Sequence, residues 1–577
     1  MRRRRQARLP QRLGDRTRIL PENRPRQRLM ATVSNDDQTS PLQLGKTLFD
    51  YADELAVQVP TSCFRAGQCH ECIVQVEEGL EALNEPTEAE SFLRDHYRLA
   101  CQATVEHDDT DIRFSPLRRT PQILVDNNAP DTTLELAPIV TRRGDSVYYN
   151  GELIDRYRGH IYGLAVDLGT TTVALDLLDL ESGQSLCISS FENPQRFGGS
   201  DVMHRISYDG SQHQGELQKA IAAALNHQIQ TLAKRFGFTR QEIYEVVVAG
   251  NSTMRDILFK WDVQGIGQKP YKSLVENEFR NGQRPHTALT TGSRRLGLRV
   301  NPFARVYGLP LIASHVGGDT AAALVALDID SQTEVVMLVD VGTNTEVVVG
   351  HAGRLLACSC PAGPAFEGGL IEYGMPGYNG AIESVRYRGD GRFDYSTIGD
   401  TAPQGLCGSG LIDLLAQLRR HDLMTPKGVF AERKQRKMTV VPDQGITLSR
   451  LDASNLAQAK AANYCGQFIA LRHFGVDPAD ITRLYLAGGF ANYVDIDNAI
   501  AIGFLAPVPR HRISKVGNAA LQGARQVLLS VPVRQRLETM VQDIEHIELE
   551  TTADFFELFV EGCQFKPMPQ QLAPTPA

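Results

Sequence analysis

Leu338-Val339-Asp340-Val341-Gly342-Thr343-Asn344-Thr345-Glu346 is an apolar run that stops at an aspartate and turns at once through glycine, threonine and asparagine. Such a run reads as a buried strand, and the turn as a hairpin whose backbone amides and hydroxyls can face phosphate oxygens. The pattern occurs earlier as well, in Gly163-Leu164-Ala165-Val166-Asp167-Leu168-Gly169-Thr170-Thr171-Thr172, and a third apolar run, Tyr485-Leu486-Ala487-Gly488-Gly489-Phe490, ends in a Gly-Gly turn. One Asp-x-Gly-Thr turn is weak evidence, because such hairpins also form with no ligand. Two of them with a late Gly-Gly turn are strong evidence. Asp167 and Asp340 end their strands where they can hold magnesium through water, beside the glycines and hydroxyls of Gly169, Thr170, Thr171, Gly342, Thr343 and Asn344.

The segments between these turns alternate apolar strands with amphipathic helices, such as Leu217, Ile221, Leu225, Ile229 and Leu232 closed by Gly237, which indicates α/β layers. The chain before His160 is different. Cys63, Cys69, Cys72 and Cys101 stand in the spacing Cys-x5-Cys-x2-Cys-x28-Cys, three on one loop around Gly67 and the fourth distant. Four thiolates in that arrangement enclose a [2Fe–2S] cluster in ferredoxins. The plant pattern has four residues in the first gap; the five found here resemble the adrenodoxin-like variant. Structural zinc usually takes two Cys-x-x-Cys knuckles, and only Cys69 and Cys72 form one. His70, between ligands, reads as a solvent-facing loop residue ahead of any Rieske-like role. The other six of the ten cysteines are scattered and read as small buried apolar residues.

A chain of 577 residues is too long for one core. Its 42% hydrophobic and 22% charged residues are ordinary for globular domains. A net charge of −8 gives no reason to expect nucleic acid or an anionic membrane as the main partner. No run of about 18 apolar residues offers a membrane span, and clustered cysteines without a signal-like segment point to the reducing cytoplasm. The arginine-rich start, residues 1–32, reads as a disordered basic head. An over-extended start before Met30 is its plain explanation, and a nucleic-acid or targeting arm the alternative.

Taken together, the three turns resemble the acetate and sugar kinase, heat-shock chaperone and actin superfamily. Its two phosphate motifs match the two Asp-x-Gly-Thr hairpins, and its adenosine motif matches Gly488 and Gly489. Gly317-Gly318-Asp319-Thr320 and Gly517-Asn518-Ala519-Ala520 look like the two segments connecting its lobes. That resemblance implies ATP with Mg2+ between two lobes, Asp340 beside the γ-phosphate, and Asp319 positioning magnesium or the attacking water; the alternative for Asp319 is a helix N-cap. Joined to a ferredoxin unit, the whole resembles the reductive activators of corrinoid proteins, through Ala249-Gly250-Asn251-Ser252-Thr253-Met254, Pro361-Ala362-Gly363-Pro364-Ala365-Phe366-Glu367 and Gly405-Leu406-Cys407-Gly408-Ser409-Gly410.

The resemblance implies a multidomain α+β and α/β chain: a β-grasp ferredoxin-like domain at 33–107, a linker or small middle domain at 108–158, lobes of an actin-like (ribonuclease H-like) ATPase at 159–330 and 331–566, and a disordered tail at 567–577. It also implies a function. One electron passes from a low-potential donor, such as a ferredoxin or flavodoxin reductase system, through the cluster to a corrinoid protein, returning Co(II) to Co(I) for a methyltransferase system. The family suggests a homodimer. A redox-regulated sugar-kinase-like phosphotransferase and a dehydratase-activator-type ATPase are the alternatives, and the N-terminal cysteine set counts against both. Ser359, in Cys358-Ser359-Cys360-Pro361, is either an oxygen donor or docking contact for cobalt, or part of a strand end between two buried thiols.

Two other glycine-containing stretches are set aside. Gly45-Lys46-Thr47 ends like a P-loop but lacks the earlier glycine, and Gly363 to Gly369 lacks dinucleotide spacing. The four-cysteine spacing makes a direct prediction. Anaerobically purified protein is expected to carry two irons and two sulfides, and Cys72→Ser to abolish the ferredoxin-type spectrum while nucleotide binding survives. Stoichiometric zinc without sulfide would contradict it.

Overall fold

The computed structural model describes residues 31–35, 38–61, 63–117, 134–432, 434–489 and 491–572. Most of the basic head, residues 1–30, therefore lies outside the described residues, as do 573–577 of the tail.

Thr47 caps the helix Leu48–Glu54, with the Asp50 side chain returning to the Thr47 amide, so the Gly45-Lys46-Thr47 stretch leads into a capping box and forms no P-loop. That helix packs on a five-stranded sheet whose spatial order is Gln38–Pro41, Thr32–Asn35, Ile112–Pro116, Ile73–Glu78, Tyr97–Leu99. Ile112–Pro116 is the central strand, parallel to Thr32–Asn35 and antiparallel to Ile73–Glu78. The expected domain end at 107 is thus too early. The missing strand pairs with segments far away in the chain, which local pattern does not reveal. Thr32, assigned to the head, begins the first strand.

The stretch expected as a linker or small middle domain contributes a second piece. Val140–Arg143, Ser146–Tyr149 and Glu152–Arg156 form an antiparallel meander that buries Val140 and Val147 in the core beneath the first lobe. Asn301 and Tyr244 donate to Asp155 at 2.7 and 3.2 Å, fixing the meander to that lobe.

Both lobes repeat one topology. In the first, Ser185–Glu192, Thr172–Asp179 and Tyr162–Leu168 run antiparallel, followed by the parallel strands Ile243–Gly250 and Arg305–Gly308. In the second, Arg354–Cys360, Thr345–His351 and Val336–Val341 are followed by Arg483–Ala487 and Ile513–Gly517. The inner strands are buried along nearly their whole length, Ile243–Gly250 at every residue, as strands covered on both faces must be.

Two helices, Gly318–Ala326 and Ala519–Leu529, cross between the sheets and pack on each other. Ala519–Leu529 lies against strands Tyr162–Leu168 and Ile243–Gly250 of the first lobe, although the sequence reading places it in the second. The chain crosses between the lobes just after Gly517, where the strand Ile513–Gly517 ends. Residues 567–572 are also ordered, contrary to the disordered tail: Met568 is 2% exposed and packs in the second lobe's core, and the Leu572 amide donates to Asp477 at 2.8 Å.

The two crossing helices touch without side chains between them. A Cβ added at Gly523 would lie 2.0 Å from the Ala322 carbonyl oxygen, and backbone cannot swing away. Gly523→Ala is expected to cost about 1–3 kcal/mol and to lower the melting temperature of the ATPase unit by at least about 2–4 °C. An unchanged melting curve would show that the helices separate freely.

Candidate nucleotide cleft and cysteine centre

A cleft opens between the lobes. Asp167, Gly169, Thr170, Thr171, Asp319, Asp340, Gly342, Thr343, Asn344, Gly488 and Gly489 all line it, so residues chosen from distant stretches of sequence share one site. Each hairpin follows a buried strand, and Gly488 (φ 108°) approaches the second hairpin so closely that a Cβ would lie 2.1 Å from the Val341 carbonyl oxygen.

Asp167, Asp319 and Asp340 form the acidic part of this lining. Burial pushes Asp167 up to about 7, helped by the Asp319 charge and opposed by a 2.8 Å hydrogen bond from Asn518. Burial, then the charges of Asp319 and Asp167, push Asp340 up to about 7. Asp319 is raised by burial as well, against the Thr320 amide donating at 2.8 Å. The N-cap of its helix is Gly317, not Asp319, which stands in the first turn. Three carboxylates sharing a desolvated floor favour a positive partner, although among the described residues no three acidic, histidine or cysteine side chains stand as a direct metal-ligand set.

Several lining residues carry no site assignment from sequence. Glu346 is raised well above its ordinary range by burial and by Asp319 and Asp340, and Ser359 donates to it at 3.0 Å. Ser359 belongs to the strand Arg354–Cys360, flanked by the buried thiols of Cys358 and Cys360. Asn251 donates to Thr170 at 3.0 Å. Phe366 and Glu367 line the cleft as well, so part of the Gly363 to Gly369 stretch belongs to the site even though it is no dinucleotide loop. Burial raises the Glu367 carboxyl, although Thr343 and Thr171 both donate to it. Glu346, Asn251 and Glu367 lie inside the sequence motifs quoted for the family resemblance or its hairpins.

The cysteine centre consists of two thiol pairs. Cys72 donates to Cys101 across 3.4 Å, which pulls Cys101 down to about 6. Cys63 falls to about 7, since bonds from Cys69 and nearby amides outweigh the effect of its burial. Thr61 Oγ1 lies 3.9 Å from both Cys63 and Cys69. The hydrogen bond to Cys101 pushes the Cys72 thiol up, so that pair shares one proton, and four sulfurs in two pairs match the number that holds two irons.

The loop carrying these thiols rests on the ATPase. His70 does not face solvent: it stacks on Phe92 at 4.1 Å, and its Nδ1 lies 2.9 Å from Glu216 Oε2, in the helix Glu216–Phe236 of the first lobe. Phe92 meets Phe197 edge-on at 5.7 Å. Arg196 donates to Tyr97 at 3.1 Å and pairs with Gln75 and Glu192. Three residues before Arg196, the Asn193 amide donates to Thr171 and its side chain to Gly169, both at 2.8 Å. One short segment therefore touches both the first phosphate hairpin and the ferredoxin domain.

Comparison with known proteins agrees with this architecture. A 2Fe-2S iron-sulfur cluster binding domain matches residues 31–106, the RACo middle region matches 162–332, and the C-terminal domain of RACo, the ASKHA domain, matches 334–576. The corrinoid activation enzyme RamQ of Eubacterium limosum is 32% identical over 430 residues, 70% of this chain and 70% of that protein. The [Co(II) methylated amine-specific corrinoid protein] reductase of Methanosarcina barkeri is 23% identical over 69% of this chain and 76% of its own length. A solved reductive activator for corrinoid, iron-sulfur protein superposes with a TM-score of 0.67 at 28% identity, over 94% of this chain and 100% of that one. A cysteine-bearing ferredoxin domain bolted to a two-lobed ASKHA domain, matched over its length in this way, makes the chain a member of the RACo family of reductive activators of corrinoid proteins.

Proposed function

We propose that this protein couples ATP hydrolysis to the passage of one electron from a low-potential donor to a corrinoid protein, reducing Co(II) to Co(I) for a methyltransferase system. The observation that carries the reading is the segment Asn193 to Phe197, which touches the phosphate hairpin at one end and the cysteine-bearing domain at the other. The corrinoid partner is suggested by what the relatives are named for.

Cys63, Cys69, Cys72 and Cys101 would hold the cluster, which when bound supplies a one-electron centre near about −400 mV in plant-type ferredoxins. Asp167, Asp319 and Asp340 would hold Mg2+ through water, and the ion would supply the positive charge that their shared burial lacks. Gly169, Thr170, Thr171, Gly342, Thr343 and Asn344 would cradle the phosphates, with Gly488 and Gly489 at the adenosine. Reduction of Co(II) runs uphill, and each ~59 mV of deficit costs about 1.4 kcal/mol for one electron. ATP can offset that only by binding one arrangement of the lobes better than another. Asn193 moves with Thr171, and Arg196 and Phe197 would pass lobe closure on to Tyr97 and Phe92. A cytoplasmic setting suits ten cysteines that form no disulfide, and no helix among the described residues is long and apolar enough to cross a membrane. Donation by a ferredoxin or flavodoxin reductase system and assembly as a homodimer belong to the same reading.

The raised aspartates give a pH test. The folded chain binds the Asp340 proton more tightly than the unfolded chain does, about 7 against 3.8. Its contribution to stability is full below 3.8 and is lost as pH rises through about 7. Without metal or nucleotide, Asp340→Asn is expected to melt on the order of 5 °C above the wild type at pH 8, with a smaller gap at pH 6. A variant melting below the wild type at pH 8 would refute the buried-charge account.

The coupling test uses a reduced donor and a Co(II) corrinoid protein, followed by the Co(I) absorbance. Wild type is expected to form Co(I) only with ATP, and to hydrolyse ATP faster when the Co(II) partner is present. Asp340→Asn is expected to lose both activities together by at least about 100-fold, while the donor still reduces the cluster. Equal Co(I) formation with and without ATP would overturn the mechanism.

A further inference from the structure

Glu367 stands at the meeting of the two phosphate hairpins. Its Oε2 accepts from Thr343 Oγ1 at 2.6 Å and from Thr171 Oγ1 at 2.9 Å. The two hydroxyls, one on each lobe, lie 3.4 Å apart. Its other oxygen faces the glycine turn, where a Cβ built on Gly342 would lie 4.0 Å from Oε1. One carboxylate oxygen thus takes both hydroxyl donors, as a single phosphate oxygen would.

The backbone holds Glu367 there. The Gly363 amide donates to the Thr343 carbonyl at 2.8 Å, tying the loop to the hairpin. Phe366 is buried edge-on against Phe504 at 5.0 Å. Gly368 turns at φ 91°, with Met375 so close that a Cβ would lie 2.4 Å from its amide nitrogen. The carboxyl group therefore stands in an anion-binding position, linking a residue of the first lobe to one of the second.

We infer that Glu367 occupies the place of a nucleotide's terminal phosphate, bridging Thr171 and Thr343 across the lobes, and that a nucleoside triphosphate binds by displacing it. The inference rests on the ATP-driven reading above and adds a residue that positions the lobes and selects the nucleotide. Gly488 and Gly489 line the same cleft as the paired hydroxyls, and with the base at the glycines the proposal places the last group of the phosphate chain at Thr171 and Thr343. A diphosphate leaves them on Glu367, whereas a triphosphate brings a second anion to the same two donors. Like charges at such range repel strongly in a desolvated cleft. Glu367 thus opposes the triphosphate specifically, and its release from Thr171 and Thr343 distinguishes the ATP state from the ADP state.

The test is calorimetric titration of the full, cluster-loaded protein with Mg2+ and either ADP or the β,γ-imido analogue of ATP. Glu367→Gln keeps the shape and removes the charge. It is expected to bind the imido analogue at least about tenfold more tightly than wild type, with ADP affinity changed by less than about twofold. Glu367→Ala should shift affinities in the same direction and serves if the Gln variant fails to fold. An equal gain for both nucleotides would overturn the terminal-phosphate assignment. Weaker binding of the analogue would make Glu367 a nucleotide ligand, not a competitor, and overturn the inference. Failure of wild type to bind either nucleotide would instead remove the ATP-driven reading itself.

Discussion

Asp167, Asp319 and Asp340 reach one cleft from two strand ends and a helix start, and no cation of the described chain contributes to their environment. Concentrating like charges away from water is unfavourable unless they are neutralised by protons or by a bound cation. The two lobes cannot settle into a fully closed, fully ionised state by themselves. Glycine turns and hydroxyls stand around the same floor, which is the donor set that phosphate requires. The proposed nucleotide with its metal would answer both the charge problem and the donor set.

The crossing helices are where such binding would become motion. Gly318–Ala326 and Ala519–Leu529 meet at backbone distance through Gly523 at the base of the cleft. Asp319 and Asn518 lie at the starts of these helices, and Asn518 bonds Asp167 directly. A change at the floor would be felt at these helices. At the mouth, the lobes are joined by the hydroxyls of Thr171 and Thr343 and by the carboxylate of Glu367.

The ferredoxin domain is not a loose appendage on this machine. Its cysteine loop lays His70 against Glu216, and Phe92 and Tyr97 pack on the turn carrying Arg196 and Phe197. That turn continues into Asn193, which braces the first hairpin. The physical path from phosphate to cysteine centre is a few residues long and consists of hydrogen bonds and ring contacts. It is where the proposed coupling would act.

Sequence by itself determined the local chemistry. Apolar runs ending in Asp-x-Gly-Thr, a Gly-Gly turn and four spaced cysteines are readable because hairpins and metal loops are encoded by neighbouring residues. Only tertiary structure decided the rest. The strand Ile112–Pro116 became the centre of the first sheet by pairing with partners distant in the chain, Met568 was drawn into the second lobe's core, and Ala519–Leu529 packed on the lobe to which its sequence neighbours do not belong. Glu367 is the sharpest case. Its motif was visible, but its meaning depends on Thr171 and Thr343, 172 residues apart, arriving at one carboxylate oxygen. No local pattern carries that information, because the contact exists only when two separately folded lobes close on each other.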